Sequence, residues 1–217
     1  MDADRPALLS LPAMNSPNPQ LEVFVDFVCP WCYLAYGAVR QLQAERTVDV
    51  IWSPFPLHPS TPPEGLLLTE LLRGMDLDAA HRRINQMLDE LGLEHGERDR
   101  TYNTRLAQEL ALWARTQEGG EALVPLLYRA YFVHNRNLAE ETLLLDAVRE
   151  AGLDMEAARS VLKDRTFKAA LDAEWNRARD YQITGVPAFI AGGYHMTGFH
   201  PAAELKRFLD FVQSKQG

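Results

Sequence analysis

The chain carries its only two cysteines in one short stretch, Cys29-Pro30-Trp31-Cys32, where a strand-like run hands over to a helix-like one. Upstream, Leu21 to Val28 alternates β-branched and aromatic residues with Glu22 and Asp26 well enough to predict a mostly buried strand. Downstream, Tyr33 to Gln43 places Leu34, Ala38 and Leu42 at helical spacing. Pro30 costs nothing at the start of that helix, where its missing N–H has no intrahelical partner. The pair therefore lies at a helix N-terminus. Free backbone N–H groups and the positive end of the helix dipole favour an anion there, so Cys29 is expected to be the accessible, more easily ionised thiol and Cys32 the shielded one. The two-residue spacing brings both sulfurs within bonding reach on one turn. A thiolate beside a resolving thiol is a redox centre.

Two plainer readings compete. Free cysteines are often ordinary buried side chains, but such residues have no reason to fall in C-x-x-C at a strand-to-helix junction. Zinc needs four ligands, and the chain has no second C-x-x-C. No metal is expected, and no cofactor beyond the redox-active pair itself, with glutathione as a possible co-substrate.

The net charge of −8 leaves no basic run to neutralise phosphates, so neither nucleic acid nor an anionic membrane is expected as a partner. Residues 1–20 hold Asp2, Asp4 and four prolines around a short apolar patch at Leu8, Leu9 and Leu11, which lacks the basic start and long apolar core of a secretory signal. They read as a flexible N-terminal tail. No stretch approaches the roughly 20 apolar residues of a membrane span. A cytoplasmic location is expected, and there a C-x-x-C is more often catalytic than a structural staple.

Thr47 to Ser53 predicts a second strand, after which five of the thirteen prolines fall between Ser53 and Pro63, a rigid crossing that cannot be helix or central strand. A helical tract follows from about Glu64 to Tyr181, with Gly74, Gly92, Gly119-Gly120 and Gly152 at positions suited to helix ends. Its apolar stripes read as packing rather than cofactor contacts. Helical periodicity ends at Gly185-Val186-Pro187. Ala188 to Ala191 and Tyr194 to Gly198 then read as a hairpin turning at Gly192-Gly193, and Pro201 to Gln213 as a closing helix. Since each pair of strands needs the other to bury a face, residues 21–60 and 182–214 are expected to share one sheet, with 61–181 inserted between them.

That order, with Cys29-Pro30-Trp31-Cys32 opening the first helix and Gly185-Val186-Pro187 opening the third strand, resembles the DsbA family: an α/β, thioredoxin-like fold with a large all-helical insertion. The stretches Asp26 to Leu34 and Gly185 to Ile190 are similar to its cytoplasmic FrnE-like branch. The resemblance implies a thiol–disulfide oxidoreductase, acting as a protein disulfide reductase, isomerase or oxidase on protein thiols and disulfides or on glutathione. It also implies Cys29 as nucleophile, Cys32 as resolving thiol and a cis peptide before Pro187 facing them. Pro30, Trp31, Val186 and Pro187 are the candidate substrate-contacting residues. Asp26 could accept a proton from Cys32 if buried beside it, or could point to water as a strand-end carboxylate.

The exported relative has His where this chain has Trp31. A neutral indole offers no charge to the Cys29 thiolate, so a reductase or isomerase bias is expected rather than strong oxidase behaviour. The same fold resembles the kappa-class glutathione transferases and hydroxychromene-carboxylate isomerases, in which Ser commonly replaces the first cysteine. The intact pair favours the dithiol branch over that alternative and over a non-catalytic binding module. Nothing in the sequence specifies the oligomeric state.

Overall fold

The computed structural model describes residues 18–216, so the expected tail lies almost wholly outside the described residues. Strand β1 (Gln20–Val25) leads into helix α1 (Pro30–Glu45), which returns to strand β2 (Asp49–Pro54). The strands pair in parallel, Leu21 against Val50 and Val25 against Pro54. Pro54 is thus the last residue of an edge strand, where a missing N–H is tolerated.

The chain then leaves the sheet for more than a hundred residues. A two-residue strand β3 (Leu66–Leu67) and helices α2 (Leu68–Leu71) and α3 (Leu77–Glu90) come first. Strand β4 (Arg100–Thr101) pairs antiparallel with β3, a short ladder that periodicity in so helical a tract could not reveal. Helices α4 (Arg105–Ala114), α5 (Leu123–Phe132), α6 (Glu141–Glu150), α7 (Met155–Asp164) and α8 (Lys168–Asp180) follow. Strands β5 (Ala188–Ala191) and β6 (Tyr194–Thr197) turn at Gly192-Gly193, both at positive φ, and helix α9 (Ala202–Gln216) closes the fold. Both ends of the chain build a single sheet of order β2-β1-β5-β6, with β5 antiparallel to β1. This is the mixed α/β, thioredoxin-like architecture with a helical insertion.

The faces of β1 are buried differently. Leu21, Val23 and Val25 join the main core with Leu34, Ala38 and Leu42 of α1 and Leu205 and Leu209 of α9. On the other face Phe24 packs with Ala178 and Ile183, under the last helix of the insertion. Glu22, which alternation alone would leave at the solvent, is covered by that helix and only 5 % exposed. Arg177 of α8 grips it through both guanidinium nitrogens, Nη1 donating to Oε2 at 2.9 Å. Ser53 of β2 donates to the same carboxylate, and Arg177 also pairs with Glu174. Burial alone lowers the pKa of the Arg177 guanidinium, but its bonds to Glu22 and Glu174 outweigh that and raise it above its ordinary value. Removing one member of a buried pair strands the other without solvent, at a cost of about 3–5 kcal/mol. We therefore expect Arg177→Met to lower the urea unfolding free energy by about 3 kcal/mol, and Glu22→Gln in the same chain to recover part of that loss.

Candidate active site

Cys29 is the N-cap of α1, in extended geometry, with Pro30 at the first helical position. Its backbone carbonyl accepts from the N–H groups of Cys32 and Tyr33, which starts the helix. Both thiols are free. The Cys29 side chain does not cap the helix; its Sγ donates instead to the Val186 carbonyl at 3.6 Å. The Val186–Pro187 peptide is cis, and the sulfur contact brings that turn against the motif, 157 residues away in sequence.

The expectation of an open first thiol needs correction. Cys29 is 3 % exposed and Cys32 wholly buried, because the turn at Val186 closes over the helix start. Trp31 is the most exposed member of the motif, at 37 %, with Pro30 partly exposed beside it, and Arg83 of α3 stacks over the Trp31 ring, 6.0 Å from the centroid. Burial pushes the Cys32 thiol well above its ordinary pKa, and the neighbouring Cys29 sulfur pushes it further.

Asp26 does not point to water. It is 1 % exposed, accepting from the Leu57 N–H at 3.0 Å and from the Val28 N–H at 3.4 Å. Burial raises its pKa from 3.8 to about 6, against the opposing pull of hydrogen bonds from Thr104, Leu57, Val28 and Gln108. Thr104 and Gln108 come from the start of α4. Gln108, wholly buried, also donates to the Thr104 hydroxyl and to the Phe55 carbonyl, and accepts from the Trp175 indole. Sequence reasoning missed both residues, although a Thr and a Gln four apart in a Leu- and Ala-rich helix are a visible break in the apolar pattern. It also missed the aromatic wall behind the motif, where Tyr128 lies 5.4 Å from Phe27 and 5.3 Å from Tyr33, centroid to centroid.

Among the described residues no cluster of His, Cys, Asp and Glu could hold a metal ion. His195 and His200 are spaced as zinc ligands can be, but the His200 ring is engaged by Glu204 at 2.8 Å and by the Thr197 carbonyl at 3.1 Å. No helix of the described chain is long and apolar enough to cross a membrane.

The model of the DSBA-like thioredoxin domain family matches residues 20–213. A probable DsbA oxidoreductase from Streptomyces coelicolor superposes with a TM-score of 0.84 at 25 % identity, covering 91 % of each chain. A 2-hydroxychromene-2-carboxylate isomerase gives 0.69 at 15 % identity, over 91 % of this chain and 95 % of that one. The cytosolic disulfide reductase DsbM from Pseudomonas aeruginosa, with GSH, gives 0.64 at 20 % identity, over 91 % and 98 %. At those identities the last two share a fold. The uncharacterized protein YwbO of Bacillus subtilis is 27 % identical over 175 residues, 79 % of this chain and 86 % of that protein.

The raised pKa of Asp26 has a stability signature. The folded form holds a proton that the unfolded chain releases near pH 3.8, so this contribution is fully present below that pH and is lost as pH rises through about 6. A shift of two units corresponds to roughly 3 kcal/mol. Between pH 3 and pH 8 we expect the stability of Asp26→Asn, measured by denaturant unfolding, to gain on the parent by about that amount; a constant difference across the range refutes the assignment.

Proposed function

The chain belongs to the DSBA-like thioredoxin domain family, and from that premise we propose that it is a thiol–disulfide oxidoreductase working through the Cys29-Pro30-Trp31-Cys32 dithiol. The observation that carries the reading is the position of the pair at the helix start, with the Cys29 Sγ 3.6 Å from the Val186 carbonyl of the cis Val186–Pro187 turn. Both thiols are buried, and burial raises that of Cys32.

In the reducing direction the Cys29 thiolate attacks one sulfur of a substrate disulfide. A bond forms between Cys29 and that sulfur, the substrate S–S bond breaks, and the departing thiolate takes a proton. Cys32 then gives up its proton and attacks Cys29 Sγ, closing the internal disulfide and releasing the second substrate thiol. Two electrons pass from the pair to the substrate, and two molecules of a thiol such as glutathione, leaving joined as their own disulfide, restore the dithiol. In this reading Asp26 accepts the Cys32 proton, a role supported by its burial near that thiol and by a pKa of about 6, which leaves it ionised at neutral pH. Pro30, Trp31, Val186 and Pro187 form the substrate-contacting rim in this reading.

A reductase or isomerase bias, as in a cytoplasmic FrnE-like protein, follows from the absence of charge inside the motif. The partner of Cys29 is a carbonyl, and the guanidinium of Arg83 lies over the indole of Trp31 rather than on the sulfur. The intact dithiol favours this over the isomerase-type alternative.

Cys32→Ser should accumulate mixed disulfides through Cys29, with protein substrates or with glutathione, while Cys29→Ser should accumulate none; equal trapping by the two would overturn the roles. Equilibration with glutathione buffers should give a potential well below the roughly −120 mV of a strong oxidant. A value at that figure would return the protein to the oxidase class.

A further inference from the structure

Thr104 is the N-cap of α4, yet its side chain does not cap the helix. A threonine in that place commonly accepts from an N–H of the first turn. Here its oxygen accepts from Gln108 Nε2 at 3.1 Å instead, and its hydroxyl bonds to Asp26. The direction of these bonds is set by groups that allow no choice. The Trp175 indole can only donate, and it does so to Gln108 Oε1 at 2.9 Å. The Phe55 carbonyl can only accept, and it takes Gln108 Nε2 at 3.0 Å. The amide is therefore held with its donor end toward Thr104. The Thr104 oxygen must accept from it, and its single proton is left for the carboxyl.

Asp26 thus faces donors: the Leu57 N–H at 3.0 Å, the Val28 N–H at 3.4 Å, the Thr104 hydroxyl and, more weakly, the Gln108 amide. Such donors favour the ionised carboxyl. The titratable groups around it are the Cys29 and Cys32 thiols of α1 and the Tyr128 phenol of α5, and burial raises both Cys32 and Tyr128. His58, next to Leu57, is lowered by burial and so is neutral at neutral pH. The charged residues near Thr104, Gln108 and Trp175 have partners of their own: Arg105 with Asp172, Glu109 with Arg165 and Glu174 with Arg177.

We propose that Thr104 and Gln108, both from the insertion, are positioning residues of the thiol reaction: they present the Thr104 hydroxyl to Asp26 as a fixed donor and keep that carboxyl ready as a base for Cys32. On the redox reading above, which this role presupposes, the two reacting groups lie together, since the Cys32 thiol meets both the Asp26 backbone N–H and its carboxylate charge. As the internal disulfide closes, Cys32 loses its proton to Asp26 and its sulfur bonds to Cys29 Sγ. The bond from Cys29 to the substrate sulfur breaks, and that sulfur leaves with the electron pair as a thiolate. An Asp26 deprived of its fixed donor holds its own proton to higher pH, and so takes one from Cys32 less readily near neutrality.

Two measurements on the whole chain test this. In an NMR titration of the Asp26 carboxyl, Thr104→Val should raise the midpoint by about one pH unit, with Gln108→Met shifting it the same way and serving if the first variant does not fold. Thr104→Ser, which keeps the hydroxyl, should titrate as the parent does. In the second, reduced protein is mixed with excess glutathione disulfide, and decay of the Cys29 mixed disulfide is followed by acid quench and mass spectrometry. Closure in Thr104→Val should be about fivefold slower than in the parent at pH 6 and nearly equal to it at pH 8. An Asp26 midpoint unmoved by both Thr104→Val and Gln108→Met, Thr104→Ser behaving like Thr104→Val, or a shifted midpoint with the parent's pH profile of closure would overturn the inference. A parent that exchanges no thiol, while its Asp26 midpoint still responds to Thr104→Val, would sink only the redox reading.

Discussion

The burial of one carboxylate, Asp26, ties together parts of the chain that are otherwise far apart. It directly follows β1, three residues before Cys29, takes the Leu57 N–H from the proline-rich crossing, and is reached by Thr104 and Gln108 from the start of α4. An ionisable group pays heavily for leaving water, and hydrogen bonds offset only part of that cost, as its raised pKa records. The insertion must therefore be docked for the strand end to exist in this form. Gln108 extends the same junction to Phe55 and to Trp175 of α8, so the first and last helices facing the sheet meet over one polar knot.

A second buried carboxylate works differently. Glu22 has a cationic partner, since Arg177 supplies two charge-assisted hydrogen bonds. Together these carboxylates fix the insertion at two points along β1, one at its start and one just beyond its end. Apolar packing of Phe24 against Ala178 and Ile183 fills the space between. Hydrophobic burial alone tolerates sliding, whereas a bidentate pair and a multiply bonded carboxylate do not.

Local structure was legible in the sequence wherever a single segment carries its own signal. The hairpin at Gly192-Gly193 and the strand Ala188–Ala191 fall where turn chemistry and β-branching put them. The helix begins at Pro30, earlier than apolar spacing alone indicates, because the proline and the extended Cys29 define its first turn. What could not be read was anything requiring a distant partner. Glu22 and Asp26 look like the wet side of an alternating strand until residues 104–108 and 174–177 arrive to cover them. Cys29 looks open until the Val186 carbonyl reaches its sulfur. Arg83 on Trp31 is likewise a contact between segments that no periodicity links.

This division has a chemical consequence. The four residues of the motif fix where the sulfurs sit, but the groups that set their surroundings come from elsewhere: Val186 from the sheet end, Arg83 from α3, Tyr128 from α5, and through Asp26 the Thr104 and Gln108 of α4. The desolvation that raises both Asp26 and Cys32 exists only because those elements exclude water. A change of side chain in the insertion can therefore alter the proton affinity of the buried groups while leaving Cys29-Pro30-Trp31-Cys32 untouched. Identical motifs on this fold need not share the same surroundings, and in this chain the buried carboxylate three residues upstream of the first thiol joins the insertion to the strand that leads into the motif.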